Sequence, residues 1–156
     1  MRNFRSHQRI VEMISEEFYD SELLAEADQK AADEWLAGMP PIQVLNVRGQ
    51  EQMDPGEPSY FNLAEVARVS DLIESELAAH PGLQMKEIGV ITPYRRQVGR
   101  IKKHLEEKIP GSSDIYVGSV ENYQGAEKKV IIISTVRSNP PTLGEGRVGF
   151  LRNRNR

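Results

Sequence analysis

Apolar residues recur at Ile10, Val11, Ile14 and Phe18, a spacing that predicts a first helix with one buried stripe, capped by Ser6. A weaker helical pattern runs from Leu23 to Trp35 and stops at Gly38, where Pro40-Pro41 prevents continuation. Residues 42–47 alternate as a short strand. Residues 48–59 contain Gly49, Pro55, Gly56 and Pro58 and predict an exposed loop. Asn62-x-x-Glu65 has the form of a capping box, and Val66, Val69, Ile73 and Leu77 then mark an amphipathic helix ending near His80-Pro81-Gly82.

The second half alternates more regularly. Residues 88–92 form a short apolar strand, and Pro93 suits the first turn of the helix that follows. That helix places Val98, Ile101, Leu105 and Ile109 inside, with Arg95, Arg96, Arg100, Lys102 and Lys103 outside. Pro110-Gly111-Ser112-Ser113 breaks it. Residues 115–117 read as another strand and residues 129–136 as a long, fully buried one, suited to the centre of a parallel sheet covered on both faces. Strands alternating with helices imply right-handed crossovers and an α/β fold with a parallel sheet.

Composition narrows the class. A length of 156 residues suits one domain, 1–156, able to bury a real core. The absence of cysteine excludes a disulfide scaffold, a thiolate zinc site and a cysteine nucleophile. His7, His80 and His104 are too scattered for metal-ligand spacing, so no metal site is expected. The longest apolar run, Val130-Ile131-Ile132-Ile133, is far short of the ~20 residues that span a bilayer, and the first residues carry no signal-like stretch. A soluble, intracellular protein without membrane contact is expected. The formal net charge of −3 hides a split. Residues 1–85 carry 6 basic and 16 acidic side chains, net −10, and residues 86–156 carry 14 basic and 7 acidic, net +7. Such asymmetry hints at a polyanionic partner for the basic half, although composition alone fits an unevenly charged surface as well.

Three segments fall where open α/β sheets bind ligands, at strand ends. The longest runs Val117-Gly118-Ser119-Val120-Glu121-Asn122-Tyr123-Gln124-Gly125-Ala126-Glu127, then the Ile-rich strand, then Arg137-Ser138. Ser119 is a donor suited to backbone phosphates, and Glu127 a carboxylate suited to sugar hydroxyls. Taken alone, these residues fit a polar connection between core strands better. In Ile91-Thr92-Pro93-Tyr94-Arg95-Arg96-Gln97 a helix N-terminus offers free amides to phosphate, and Tyr94 is placed to stack on a base. Thr92 as a simple cap and Tyr94 as an edge aromatic explain that segment equally well. Asn3-Phe4-Arg5-Ser6-His7 puts an arginine with bidentate capacity before a capped helix, although a terminal pentapeptide is more often a frayed end.

In this order, and with Gly149-Phe150-Leu151 following, the segments are far more specific. The chain resembles the second RecA-like domain of superfamily 1 helicases of the nonsense-mediated-decay and Armitage type, nearest to the Moloney leukaemia virus RNA helicase group. The resemblance covers essentially all 156 residues and is densest in the last 70 or so. It implies a RecA-like parallel sheet flanked by helices, from the P-loop NTPase superfamily. In that family ATP sits between two RecA-like domains and single-stranded nucleic acid lies across their tops. The resemblance assigns Arg5 to the γ-phosphate as the catalytic residue, Glu127 to the ribose, and Gln124 and Gly125 to shaping the nucleotide loop. It assigns Thr92, Pro93, Tyr94, Gly118, Ser119 and Val120 to the RNA backbone. ATP and Mg²⁺ are the implied cofactors. The implied partners are single-stranded RNA, a first RecA-like domain and ribonucleoprotein or RNA-silencing proteins, in the cytoplasm or its ribonucleoprotein granules.

The departures qualify this. Phe4-Arg5-Ser6-His7-Gln8 stands where the family usually has Tyr-Arg-Ser-His-Pro, removing one hydroxyl and keeping the arginine. No Gly-x-x-x-x-Gly-Lys-[Ser/Thr] loop occurs, and the acidic Mg²⁺ motif of the first domain is absent, so the Mg²⁺ ligands are expected from that domain. The chain stops at Arg152-Asn153-Arg154-Asn155-Arg156, before the family's next motif, which implies a domain truncated at its C-terminal end. On this reading the chain alone is inactive in hydrolysis. The alternatives are a non-catalytic nucleic-acid-binding module kept from a helicase, and a DNA-directed member of the superfamily.

Overall fold

The computed structural model describes residues 1–123 and 126–137, which fall into two compact units divided after Asn46. In the first unit Arg2–Asn3 (β1) pairs in parallel with Leu24–Ala25 (β2), and two helices, Gln8–Phe18 (α1) and Gln29–Leu36 (α2), follow them. The cap of α1 is His7, not Ser6. Asn3 Oδ1 accepts the backbone N–H groups of Arg5 and Ser6, both at 2.9 Å, and this turn leaves Ser6 outside the helix. His7 Nδ1 then accepts from Arg9 N–H at 3.1 Å, which directs the protonated Nε2 at Asp33 Oδ1, 3.0 Å away.

The expected stripe of α1 is only partly buried. Val11 and Ser15 lie inside while Phe18 is exposed. Ser15 Oγ accepts the Leu23 N–H, so the buried polar position serves the turn after the helix, where Asp20 and Ser21 have left-handed backbones. The weak helical pattern from Leu23 contracts to α2, because Leu24 and Ala25 pair with β1 and Asp28 caps the helix through Ala31 N–H. Residues 42–47 are not a strand; Val44 is 93% exposed, and alternation without a pairing partner builds no ladder.

The second unit begins with a hairpin inside the expected loop. Gln52–Met53 (β3) pairs antiparallel with Tyr60–Phe61 (β4), with Gly56 at φ +79° in the connection. Leu63–Ala79 (α3) follows, capped by Asn62, whose Oδ1 accepts from Ala64 and Glu65 N–H. The capping box is half made: the Glu65 carboxylate turns inward instead of back to Asn62 N–H, which donates to Gln97. Then come Ile88–Ile91 (β5), Arg95–Lys108 (α4), Tyr116–Gly118 (β6) and Val130–Ile133 (β7).

The three last strands form a parallel sheet in the order β6-β5-β7, with Val90 level with Val117 and Ile132. This is the α/β parallel architecture expected. Its core joins Val66, Val69 and Ile73 of α3 and Ile101 and Leu105 of α4 to Ile88, Val90 and Val117 of the sheet. Full burial of each such side chain stabilises by roughly 1.5–3 kcal/mol. The strand expected at the centre is different, however. Among the described residues β5 is central and buried at every position, whereas β7 lies at the edge with Ile131 46% and Ile133 67% exposed. A β-branched run marks a strand; it does not say how many faces are covered. On the face of Ile131, Gly89 is crossed by Tyr123 and Lys128, and a Cβ there would lie 3.1–3.2 Å from both. No helix among the described residues is long and apolar enough to cross a membrane.

Candidate functional site

Because β5, β6 and β7 run parallel, their C-terminal ends share one edge, and the three segments leaving them are tied together there. Thr92 N–H donates to the Gly118 carbonyl at 3.1 Å, and Ser134 N–H donates to the Ile91 carbonyl at 2.9 Å. Thr92, Pro93 and Tyr94 therefore lie beside Gly118, Ser119 and Val120. The two groups singled out for backbone contact in the sequence are neighbours in the fold.

Their exposure differs. Thr92 is fully buried, and its hydroxyl has no hydrogen-bond partner among the described residues. Tyr94 is buried and packs edge-on against Tyr60, ring centres 5.9 Å apart. Burial pushes its phenol up, opposed by a hydrogen bond from Arg137. Gly118 is buried, while Pro93 and Ser119 are half-buried and Val120 is exposed. Ser119 Oγ accepts the Asn122 N–H at the start of a short 3₁₀ turn, Glu121–Tyr123. Pro93, Ser119 and Val120 are thus the members whose side chains reach solvent.

Of the nucleotide set, Glu127 is exposed and follows that turn in the second unit. Gln124 and Gly125 lie outside the described residues. Arg5 is exposed in the first unit, its backbone held by Asn3. Among the described residues no three His, Asp or Glu side chains converge on a common point.

Behind the edge lies a buried polar cluster that the apolar patterns do not announce. Gln97 Oε1 accepts Asn62 N–H at 2.9 Å, and Gln97 Nε2 donates to Ser134 Oγ at 2.9 Å. Ser134 Oγ donates to Glu65 Oε2 at 2.6 Å, and the same oxygen accepts Val136 N–H at 3.0 Å. Every one of these residues is buried. The cluster fixes the start of α3, the first turn of α4 and the end of β7 relative to one another. A signal for it exists in the sequence: Gln97 occupies the stripe of Ile101 and Leu105, and Glu65 adjoins Val66 and Val69.

Next to the cluster, Arg137 stands over the Tyr60 ring at 4.4 Å and pairs with Glu51 at 2.8 Å. Arg96 and Arg100 converge on Asp54, through Arg96 Nε at 2.9 Å and Arg100 Nη2 at 3.1 Å, and Arg100 stacks on Phe61 at 4.6 Å. The residues expected to form an exposed loop are thus clipped to the basic edge by two carboxylates.

The family model described as "AAA domain" matches residues 1–156. The chain is 36% identical over 175 residues to "Putative helicase mov-10-B.1" of Danio rerio, covering all of this chain and 17% of that protein. It is 40% identical over 167 residues to "RNA helicase Mov10l1" of Mus musculus, covering all of this chain and 14% of that protein. It is 34% identical over 140 residues to "Probable helicase with zinc finger domain" of Homo sapiens, covering 87% of this chain and 7% of that protein. The chain therefore spans less than a fifth of these relatives. Together with the parallel sheet and its flanking helices, the matches show that it belongs to the AAA-domain family and, within it, to the superfamily 1 RNA helicases of the nonsense-mediated-decay and Armitage type, with a RecA-like fold.

Proposed function

We propose that this chain is the second RecA-like domain of an ATP-dependent RNA helicase, binding single-stranded RNA at its strand ends and closing the ATP site of a first domain. The observation that carries this reading is the common edge at which Thr92-Pro93-Tyr94 and Gly118-Ser119-Val120 are tied by the Thr92–Gly118 hydrogen bond. An edge of parallel strand ends, next to the first turn of a helix, is where such sheets receive phosphate-bearing ligands. Backbone groups and the Ser119 hydroxyl hold RNA phosphates, and the half-buried Pro93 and exposed Val120 bound the track.

The donor set also fits a nucleotide. Arg5 is an exposed guanidinium suited to the γ-phosphate, and Glu127 an exposed carboxylate suited to ribose hydroxyls. Gln124 and Gly125 are assigned to the nucleotide on the resemblance alone. ATP with Mg²⁺ supplies the phosphoryl group whose transfer drives the cycle. Arg5 orients its terminal phosphate, and the first domain contributes the metal ligands. Ribonucleoprotein and RNA-silencing partners in the cytoplasm belong to the same reading.

The test is RNA-stimulated ATP hydrolysis by this chain alone and by the chain joined to its first domain. Turnover only in the joined form supports the reading, and robust turnover by this chain alone contradicts it. Competition between single-stranded RNA and DNA of one sequence separates an RNA helicase from a DNA-directed one, because 2′-hydroxyl contacts favour RNA.

A further inference from the structure

We propose that Arg95, Arg96 and Arg100 form a second phosphate-binding strip, covered here by an acidic strap, that receives single-stranded RNA when the strap lifts. It rests on the reading of this domain as an RNA-binding one, but uses other residues. The strap is the hairpin segment that carries Glu51, Asp54 and Glu57 at intervals of three. Each of the three faces arginine. Glu51 pairs with Arg137, Asp54 sits between Arg96 and Arg100, and Glu57 lines an open depression of about 520 Å³ with Arg95, Arg96, Gly99 and Arg100.

The arginines are shaped for phosphate without the strap. On α4 they sit at positions 95, 96 and 100, one continuous face, and Gly99 between them has no side chain to fill it. The Arg100 guanidinium is held flat on Phe61, and the Arg96 backbone N–H is fixed by Ser59 Oγ at 3.1 Å. A carboxylate gripped by two guanidinium groups stands where a phosphate's oxygens fit, since both anions take the same planar forks. Among the described residues Arg95 makes no ion pair, so the strip carries uncompensated charge even when covered. It begins directly after Tyr94, where the proposed RNA track ends.

The two ends of the strap differ in grip. The Glu51–Arg137 pair is 22% and 11% exposed and is stacked on Tyr60. Asp54 takes bonds from two guanidinium groups, but those groups stand more open to solvent, Arg96 and Arg100 being exposed by 38% and 41%. Pairs this open are screened by salt and displaced by a competing polyanion. Gly56, at φ +79°, gives the outer end a turn on which to move, and Glu57 has no ion pair of its own among the described residues. Glu51 is therefore the anchor, and Asp54 with Glu57 the part that lifts.

The test measures binding of a fluorescent oligouridylate to the full chain across salt concentrations, for the unaltered protein and for Asp54→Asn/Glu57→Gln. The two freed arginines, Arg96 and Arg100, should steepen the slope of log K against log salt by about 1.4, at about 0.7 per phosphate on a single strand. Affinity in low salt should rise about tenfold or more. Adding Arg96→Ala/Arg100→Ala to that variant should return the slope to its starting value. If the double acidic variant loses its fold by circular dichroism, Glu57→Gln alone should still steepen the slope, by less. Equal slopes for the unaltered protein and the folded acidic variants would overturn the strip while leaving the RNA-binding reading standing. Binding by the acidic variants alone would support the strip and remove the exposed track. No binding by any form would overturn both. Displacement of oligouridylate by poly-glutamate at matched charge would overturn RNA as the occupant in favour of an acidic protein.

Discussion

The Glu65 carboxylate accepts the backbone N–H of Val136 at 3.0 Å, across 71 residues of sequence, and Val136 is held there with φ +66°. A β-branched residue rarely adopts that backbone, which costs about 1–3 kcal/mol and persists only where its surroundings over-determine it. Asn62 Nδ2 donates to the Val136 carbonyl at 3.4 Å, so both sides of the strained residue are gripped from the start of α3. Immediately after it comes Arg137, on Tyr60 and Glu51. A carboxylate at a helix start thus sets the direction in which the chain leaves the sheet.

Removing that acceptor should be severe. Glu65→Ala leaves the Ser134 hydroxyl and the Val136 N–H buried without their partner, at about 1–3 kcal/mol each, for an expected loss of about 3–5 kcal/mol. Glu65→Gln keeps one acceptor oxygen, which can serve Val136 and Ser134 alike, but turns its amide on Asn62 Nδ2, and should lose about half as much. Urea unfolding of the two variants checks this. Similar losses for both would mean that the carboxylate's charge and its other oxygen, which faces Asn62 Nδ2, carry the effect and not the oxygen shared by Ser134 and Val136.

The two faces of the sheet should answer differently to truncation. Ile101 is fully buried between sheet and α3, and Ile101→Ala should cost about 2–5 kcal/mol through lost burial and a cavity. Ile133 is mostly exposed, and Ile133→Thr should stay within about 0.5 kcal/mol. Thermal unfolding of both variants decides it. A large loss at Ile133 would show that its face is covered in solution.

How much of this was legible in the sequence depends on what carried the signal. The α3 and α4 stripes were legible because Val66, Val69, Ile73, Ile101 and Leu105 repeat at helical spacing and are buried. The parallel alternation of the second half followed from them. The burial of β7 was not, since Ile131 and Ile133 look the same in sequence whether or not another layer covers them. Nor was the role of Glu65 or Gln97, because a polar residue on an apolar stripe shows that it needs a partner without naming Ser134 or Val136. At the site, the adjacency of Thr92-Pro93-Tyr94 to Gly118-Ser119-Val120 follows from parallel strand ends. The burial of Tyr94 under Tyr60 depends on a hairpin that the glycine- and proline-rich composition of residues 48–59 concealed.

Two surface carboxylates give the fold a defined acid response. Glu87 is held below its ordinary 4.5 by a hydrogen bond from Lys129, 2.8 Å away, and then by the Gln84 backbone N–H. Asp71 is held below its ordinary 3.8 by Lys108 at 2.7 Å. A depressed folded pKa adds stability that is complete above the unfolded value and is lost as pH falls through the folded one. Both contributions should therefore be full above the ordinary carboxylate range and fade in acid below it. Carboxyl NMR titration checks the cause: in Lys129→Met, Glu87 should titrate closer to its ordinary value. An unmoved midpoint would remove Lys129 as the source.

Arg5 and Glu127 should separate chemistry from binding in the helicase joined to its first domain. If Arg5 grips the γ-phosphate, Arg5→Ala removes charge stabilisation of the kind that arginine contacts provide in phosphoryl transfer, and turnover should fall by about 10³-fold or more. RNA affinity without nucleotide should be unchanged if the RNA backbone is held by Thr92-Pro93-Tyr94 and Gly118-Ser119-Val120, as proposed, and Arg5 serves the nucleotide alone. Glu127→Gln keeps the shape of an exposed side chain and should raise the KM for ATP with little change in kcat, the mark of a group that holds the ribose equally in ground and transition states. Steady-state ATPase assays and nucleotide-free RNA titrations of the two variants distinguish these roles. Parallel loss of turnover, RNA binding and thermal stability in Arg5→Ala would place the residue in folding, where its neighbours Asn3 and Ser6 already act by fixing the approach to α1.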